Sequence, residues 1–216
     1  MSYTGRVRPG GPIDVRALAP ATITKFSVSE MDNNVYLLRC NETGEQLLID
    51  AAAEPDRVME VVGVDGLSTV VTTHRHWDHV RATEEVIRRT GAVGVAHVDD
   101  AEEIPAVSRT VVDGDTIAFG AQRLDVIHLV GHTPGAIALA WREPGGRAHL
   151  FTGDSLFPGG PGKTRTATDF TSLMDDLERK VFGPFDDDTW IYPGHGDDTT
   201  LGTERPRLAE WRARGW

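Results

Sequence analysis

Residues 74–79 carry four side chains that can each donate a lone pair to a metal ion. The run reads HRHWDH, and the four side chains are His74, His76, Asp78 and His79. Imidazole and carboxylate ligands suit Zn²⁺, iron or manganese. In an extended chain His74 and His76 face the same side, because side chains alternate with a period of two. We therefore predict that this run holds divalent metal, with Asp78 and His79 aimed at a second point after the chain turns.

Three further ligand candidates follow β-type runs at glycine-containing turns. They are His132 in GHTPG, Asp154 in TGDSLF and His195 in PGHG. Glycine allows a tight turn from which one polar side chain projects. Taken singly, each is a weak signal. His132 is also compatible with a turn histidine bonded to backbone, Asp154 with a turn residue bonded to its own backbone, and His195 with a surface loop residue. Together with the first run they supply seven ligands, which is enough for two divalent metal ions.

The elements that position these residues follow from the hydrophobic pattern. β-type runs precede the ligand candidates, at residues 67–73, 124–129, 148–151 and 189–192. Helical spacing of apolar residues covers residues 54–62, 79–90, 170–181 and about 204–214. Two β-rich blocks, each flanked by helices, predict two sheets packed face to face with helices outside.

The composition limits the class of protein. The chain has 216 residues, 39% of them hydrophobic, and a net charge of −11. This acidic balance argues against nucleic acid as a partner. Because no run approaches the ~20 apolar residues of a membrane span and no signal peptide is apparent, we expect a cytoplasmic protein without a membrane partner. We expect a small-molecule substrate, and the sequence leaves a homodimer open.

The four motifs together resemble the metallo-β-lactamase superfamily, and most closely its glyoxalase II-like (hydroxyacylglutathione hydrolase-like) short branch. The resemblance rests on THRHWDH at residues 73–79, GHTPG at 131–135, TGDSLF at 152–157 and PGHG at 193–196. It implies an α+β fold, the four-layer αββα sandwich, with the site at the edge where the loops meet. We expect a loosely ordered N-terminal segment over residues 1–20 and a single domain over 21–216.

The resemblance also implies a role for each motif residue. The first metal would be held by His74, His76 and His132. The second would be held by Asp78, His79 and His195. Asp154 would bridge both metals, and Asp78 and Asp154 are the predicted catalytic residues.

Two residues outside the ligand set are given roles by the same resemblance. Asp50, at the end of a β-type run, would accept a hydrogen bond from a ligand imidazole and fix its tautomer. Lys163 lies in the loop GGPGK at residues 159–163, which matches a loop that presents a basic residue near the site. Lys163 is therefore the predicted substrate-binding residue, although a solvated loop lysine would look the same.

The implied chemistry is metal-dependent hydrolysis. Two cations ~3.5–4 Å apart can share a water molecule and lower its pKa towards neutrality. The resemblance favours hydrolysis of a small thioester or ester with Zn²⁺, or alternatively iron or manganese. A lactonase or β-lactamase-type hydrolase and a mononuclear iron persulfide dioxygenase remain as alternatives. A non-catalytic metal-binding scaffold is disfavoured, because open sites for two metals rarely serve structure alone.

Recognition of glutathione is not expected from the sequence. Gly196-Asp197-Asp198 stands where the family has an aromatic residue after the last ligand. About twenty residues follow His195, which is shorter than the helical extension that grips glutathione in full-length glyoxalase II enzymes. The sequence therefore leaves another small thiol carrier or a different ester open.

Overall fold

Two β-sheets carry the loops in which the candidate ligands lie. The computed structural model of the chain describes residues 2–215. Met1 and Trp216, the outer limits of the two predicted segments, lie outside the described residues.

The first sheet is built from the amino-terminal half of the chain. Its strands are β1 Asp14–Ala17, β2 Ala21–Val28, β3 Asn33–Cys40, β4 Gln46–Ile49, β5 Thr69–Val71, β6 Val93–His97 and β7 Val107–Val111. They pair in sequence order, antiparallel from β1 to β4 and parallel from β4 to β7. The carboxyl ends of β4, β5 and β6 therefore meet at one edge of the sheet.

The second sheet follows in the carboxyl-terminal half. The strands of this half are β8 Thr116–Phe119, β9 Gln122–His128, β10 Ile137–Arg142, β11 Ala148–Gly153, β12 Leu156–Phe157, β13 Gly160–Pro161, β14 Trp190–Pro193 and β15 Thr199–Thr200. The sheet order is β15-β14-β11-β10-β9-β8, and β12 and β13 form a separate hairpin. Because β11 and β14 are parallel, their carboxyl ends lie side by side.

Helices cover the outer face of each sheet. Their bounds are α1 Pro55–Val62, α2 Trp77–Val80, α3 Thr83–Thr90, α4 Ala167–Asp176, α5 Leu201–Glu204 and α6 Leu208–Arg214. A π-helical turn, Leu177–Phe182, continues α4. Within residues 2–215, no helix has the length and apolar character needed to cross a bilayer.

Alternation along the strands sorts the core into layers. In β3, Leu38 packs between the sheets against residues such as Phe119 and Trp141. Its neighbour Leu37 faces the other way and packs with Val58 of α1. On the far side of the second sheet, a third cluster joins its strands to α4 and α6. The expected four-layer αββα sandwich is confirmed.

The structure changes two predicted helices. The helix expected over residues 79–90 breaks after Val80, because the backbone N–H groups of Arg81 and Ala82 donate to Ala52 O and Ala51 O instead of continuing one helix. The helix expected over residues 170–181 begins earlier, at Ala167. There the side chain of Thr166 caps the backbone N–H of Asp169, and the Asp169 carboxylate accepts the N–H of Thr166.

Residues before β2 pack against the rest of the chain at several points. β1 pairs with β2 along four residues of each strand. Val7 is buried, and the Tyr3 hydroxyl donates to Asp198 Oδ2 at 2.6 Å. The separation of residues 1–20 from a domain over 21–216 stays a prediction.

Candidate metal centre

The ligand candidates all follow strand ends at one edge of the sandwich. The HRHWDH run follows β5 and continues into α2, which contains Asp78 and His79, and Asp50 directly follows β4. On the second sheet, His132 follows β9, Asp154 follows β11 and His195 follows β14. The topology therefore brings residues far apart in sequence to one place.

His74, His76 and His132 form a first group. The ring centroids lie 4.8 Å apart for His74 and His76, 4.9 Å for His74 and His132, and 4.4 Å for His76 and His132. His74 and His132 are buried, whereas His76 is half-buried. Each residue offers a ring nitrogen within 4.8 Å of the other two, close enough to share one ion.

Asp78, His79 and His195 form a second group with the same property. His195 Nε2 lies 3.3 Å from Asp78 Oδ2 and 3.1 Å from His79 Nε2. His79 Nε2 lies 3.5 Å from Asp78 Oδ2. The two imidazoles and the carboxylate therefore converge on one point.

Asp154 lies between the two groups. Its Oδ2 is 3.9 Å from His74 Nε2 and 3.6 Å from His132 Nε2, both in the first group. The same carboxylate is 3.4 Å from His79 Nε2 through Oδ1 and 3.5 Å from His195 Nε2 through Oδ2. One side chain thus reaches ligand candidates on both sides.

Hydrogen bonds at Nδ1 leave Nε2 free on the imidazoles at the centre. Nδ1 of His132 donates to the backbone oxygen of Lys163 at 2.7 Å, and Nδ1 of His195 donates to Met31 O at 2.9 Å. In the neutral form, which carries one ring proton and is the form that binds metal, each Nε2 presents a lone pair. This is the arrangement in which metal-ligating histidines are oriented by a second partner.

Asp50 orients two further imidazoles. Its Oδ2 accepts a hydrogen bond from His79 Nδ1 at 3.0 Å and one from the Thr73 hydroxyl at 2.7 Å, while Oδ1 accepts the backbone N–H of Thr73. The Thr73 hydroxyl in turn accepts from His74 Nδ1 at 3.0 Å. Asp50 therefore contacts the candidate ligand His79 directly and the candidate ligand His74 through Thr73, and its predicted role stays a prediction.

Burial favours the neutral form of the three imidazoles in the first group. Burial lowers the pKa of His74 well below its ordinary value, and the nearby His79 and His132 lower it further. Burial likewise lowers the pKa of His76 and His132, against the opposite effect of Asp154. Neutral imidazoles keep the lone pairs that a metal ion needs.

Excess negative charge surrounds the second group. Burial alone would lower the pKa of His195, but hydrogen bonds to Asp154 and Asp78 raise it to about 10. Burial would raise the pKa of Asp154, yet His79 and His195 hold it well below its ordinary value. The negative charge of Asp78 and Asp154 therefore stabilises a cation in this group, which can be a proton or a metal ion.

Buried polar atoms without a hydrogen-bond partner are a second reason to expect divalent metal at this site. Among the described residues, His74 Nε2, His132 Nε2 and Asp154 Oδ1 are buried without a hydrogen-bond partner. Buried polar atoms are rarely left unpaired in proteins, and an absent ion is one of the few explanations. All three atoms face the same centre, so this edge of the sandwich suits a pair of divalent metals.

The second group is held by residues that the sequence pattern did not indicate. Asn33 Nδ2 donates to Asp78 Oδ2 at 2.9 Å. Lys25, fully buried, donates from Nζ to the backbone oxygen of Gly196, next to His195, and to Asp198 Oδ1. An asparagine in a β-type run and a lysine in a strand carry no local signal of these contacts, which depend on how the two sheets pack.

Lys163 lies at the mouth of the site. Its exposed side chain lines an open cavity of about 390 Å³ together with His76, His132, Thr164 and Arg165. Arg165, also exposed, lines an adjoining cavity of about 190 Å³ beside His76 and His132. The sequence prediction placed Lys163 near the site and missed Arg165, two residues further along the same loop.

Comparison with known proteins shows the family to which the chain belongs. The model of the Metallo-beta-lactamase superfamily matches residues 28–195 of the chain. A relative from Rhodospirillum rubrum named hydroxyacylglutathione hydrolase is 39% identical over 134 residues, which cover 61% of this chain and 51% of the relative. The matches span about half to three fifths of the length of the first such relatives.

Solved structures give the same result. ETHE1 from Myxococcus xanthus is 30% identical with a TM-score of 0.77, covering 87% of this chain and 84% of that chain. TTHA1623, solved in a di-iron-bound form, is 28% identical with a TM-score of 0.67, covering 83% of this chain and 95% of that chain. The fold thus agrees with the comparisons.

Proposed function

The chain belongs to the metallo-beta-lactamase superfamily, and from this premise we propose that it is a dinuclear metal-dependent hydrolase of a small thioester or ester. The position of Asp154, within 3.9 Å of ligand candidates in both groups, carries the proposal. The name of the curated relatives supports it, because an acylglutathione is a thioester.

The proposed ligand sets follow the two groups. His74, His76 and His132 hold the first metal ion, Asp78, His79 and His195 hold the second, and Asp154 contacts both. When bound, the metal pair supplies Lewis-acid chemistry, which activates water near neutral pH and polarises the acyl carbonyl. Zn²⁺ is the metal we propose, with iron or manganese as alternatives; the di-iron form of TTHA1623 supports the iron alternative.

The protein's own residues position the reacting groups. Asn33 fixes the Asp78 carboxylate by a hydrogen bond, and Asp50 fixes His79. Burial would raise the pKa of Asp78, but His195 and His79 hold it below its ordinary value, so this proposed catalytic residue stays ionised. Lys163 and Arg165, on the open side beside His76 and His132, bind a carboxylate of the substrate.

Two alternative functions use the same fold. A lactonase or β-lactamase-type hydrolase would employ the same ligands on a cyclic ester or amide. A mononuclear iron persulfide dioxygenase would need only one histidine of the first run, His132 and Asp154. The second group lies as close to Asp154 as the first does, which favours two metal ions over one.

The remaining proposals concern the setting of the reaction. We propose a small-molecule substrate, a cytoplasmic location, and no nucleic-acid or membrane partner, and homodimer formation stays open. The acidic composition supports the exclusion of nucleic acid. We also propose that residues 21–216 form one metallo-beta-lactamase-fold domain.

Metal content and substrate turnover test the function together. Metal ions per chain are measured by mass spectrometry of the purified protein. The same protein is assayed with panels of acyl thioesters, esters, lactones, β-lactams and persulfides, with oxygen consumption followed in parallel. We expect two divalent ions per chain and fastest turnover of a thioester or ester. One iron per chain with oxygen consumption on a persulfide would overturn the proposal.

A further inference from the structure

Asp100 is a buried carboxylate to which neither the sequence motifs nor the proposed function gives a role. Asp100 lies after β6, at the start of the short 3-10 helix Ala101–Glu103, and only 1% of its surface is exposed. Its Oδ2 accepts the backbone N–H of Arg75 at 3.0 Å and the hydroxyl of Thr133 at 2.6 Å. Its Oδ1 accepts the backbone N–H of Gly135 at 2.9 Å.

The three donors belong to two different ligand loops. Arg75 stands between His74 and His76, in the loop that follows the first sheet's β5. Thr133 directly follows His132, in the loop after β9 of the second sheet. A single carboxylate therefore joins the backbone on both sides of the first group, across the boundary between the sheets.

The contact is close enough to require glycine at position 135. A Cβ atom added there would lie 2.6 Å from the backbone nitrogen of Asp100 and 2.8 Å from its Cβ. Such distances are not seen between real atoms, so any larger residue would push the 131–135 loop away from Asp100. The glycine and the carboxylate thus belong to one packed arrangement.

Asp100 repeats what Asp50 does on the other side of the same run. Asp50 accepts the backbone N–H of Thr73, the residue before His74. Asp100 accepts the backbone N–H of Arg75, the residue before His76. The two carboxylates hold successive turns of the loop, and each also reaches a further group: His79 for Asp50 and the 132–135 loop for Asp100.

We propose that Asp100 is the positioning residue that sets His76 and His132 relative to each other and thereby tunes the first metal site. It acts through Arg75, Thr133 and Gly135 and touches neither metal nor substrate. This inference rests on the metal pair of the proposed function, and it is independent of which acyl bond is cleaved.

The test measures metal retention by site. Asp100→Asn removes the charge and turns an amide N–H₂ towards donors, so at least one of its hydrogen bonds is lost. The two-metal protein is titrated with a chelator, and metals retained per chain are counted at each concentration. We expect one metal to be lost at a chelator strength about 10- to 100-fold lower than in wild type, with the other retained. In the protein loaded with Co²⁺, we expect a changed visible spectrum and a lower kcat at similar KM.

The matched control is Glu102→Gln, an exposed carboxylate in the 3-10 helix that directly follows Asp100. It should leave metal retention, the Co²⁺ spectrum and kcat at wild-type values. A merely structural role for Asp100 would lower the melting temperature of the metal-free protein and leave both metal affinities unchanged. That result would overturn the inference.

A second pair of variants covers the case in which Asp100→Asn does not fold. Thr133→Val removes only the hydroxyl that donates to Asp100, whereas Thr133→Ser keeps it. We expect weakened retention of one metal in the valine variant and wild-type retention in the serine variant. Equal metal retention in the valine and serine variants would overturn the inference. If both variants still bind two metals per chain, the proposed function would stand. A wild-type chain that retains no divalent metal would overturn both.

Discussion

The Nδ1 atom of His79 lies 3.0 Å from Oδ2 of Asp50, and both residues are almost completely buried. The carboxylate accepts the ring N–H, so in the neutral ring Nε2 of His79 presents a lone pair towards Asp78, Asp154 and His195. The geometry of the second group of candidate ligands therefore depends on Asp50, a residue that does not itself belong to the group.

We predict that Asp50→Asn weakens metal binding about 10- to 100-fold, as measured by chelator competition. Asn is a better substitution than Ala for this test, because Asp50 has a left-handed backbone (φ 57°) that asparagine tolerates well. The amide N–H₂ cannot accept the hydrogen bonds that Oδ2 accepts from His79 and Thr73. Asp32→Asn, also left-handed (φ 57°), is the control. Unchanged metal affinity in Asp50→Asn would refute the orienting role.

Asp154→Ala should remove the link between the two groups. We expect the metal content to fall below two ions per chain and kcat/KM to fall by at least about 100-fold, because both groups lose a shared anionic ligand. Asp188→Ala, at an exposed loop position, serves as the matched control. Full activity in Asp154→Ala would rule out the dinuclear mechanism.

Gly194→Ala tests how tightly the backbone encloses the site. A Cβ atom there would collide with Oδ1 of Asp154 and lie 2.9 Å from Cε1 of His79. We predict loss of bound metal and activity, with overpacking costing about 1–3 kcal/mol of stability. Gly183→Ala is the control, since that glycine is exposed and has an ordinary helical backbone (φ −71°). Metal retention equal to wild type in Gly194→Ala would show that the site has more room than the structure gives it.

The convergence of the ligand motifs could be predicted from sequence because each follows a strand at a turn. Asp154 and His195 follow β11 and β14, and the parallel pairing of these strands brings the two residues together. Asp100 and Asn33 could not be found in that way. Their partners, Thr133 for Asp100 and Asp78 for Asn33, are set by long-range packing and not by local pattern.

The same distinction explains the helix boundaries. The break between α2 and α3 arises because Ala51 and Ala52, in the loop after β4, supply carbonyl acceptors, which periodicity within residues 79–90 does not reveal. The start of α4, in contrast, carries a local signal. Thr166 and Asp169 form a capping box three residues apart, and this spacing predicts that α4 begins directly after Thr166.

Lys163→Ala and Arg165→Ala should each raise KM about threefold to tenfold with little change in kcat. Both side chains are exposed beside His76 and His132, so their contribution is that of a solvated cation to an anionic substrate. Higher salt should weaken wild-type binding and have less effect on the variants. Arg123→Ala, an exposed cation on β9, is the control. A large drop in kcat at constant KM would instead place these residues at the reacting bond.

His149 should make the folded protein lose stability in mild acid. It is fully buried between the sheets, where its Nδ1 lies at hydrogen-bond distance, 2.9 Å, from the hydroxyl of Tyr192. Burial, with a smaller effect of Arg16 and Arg147, lowers the pKa of His149 from 6.5 to about 3. Between these values the unfolded chain binds a proton at this ring and the folded chain does not. The free energy of unfolding therefore falls as the pH falls through this window, by at most roughly 1.4 kcal/mol per pH unit.

The prediction is checked by denaturant unfolding of wild type and His149→Gln between pH 7.5 and pH 4. Glutamine does not titrate, so the variant should lose less stability over this range than wild type does, even if it is less stable at pH 7.5. Protonation of the metal ligands in acid affects both proteins alike, and the difference between their slopes isolates His149. Parallel slopes would mean that the ring takes up its proton over the same pH range in the folded and the unfolded chain, and that burial does not lower its pKa.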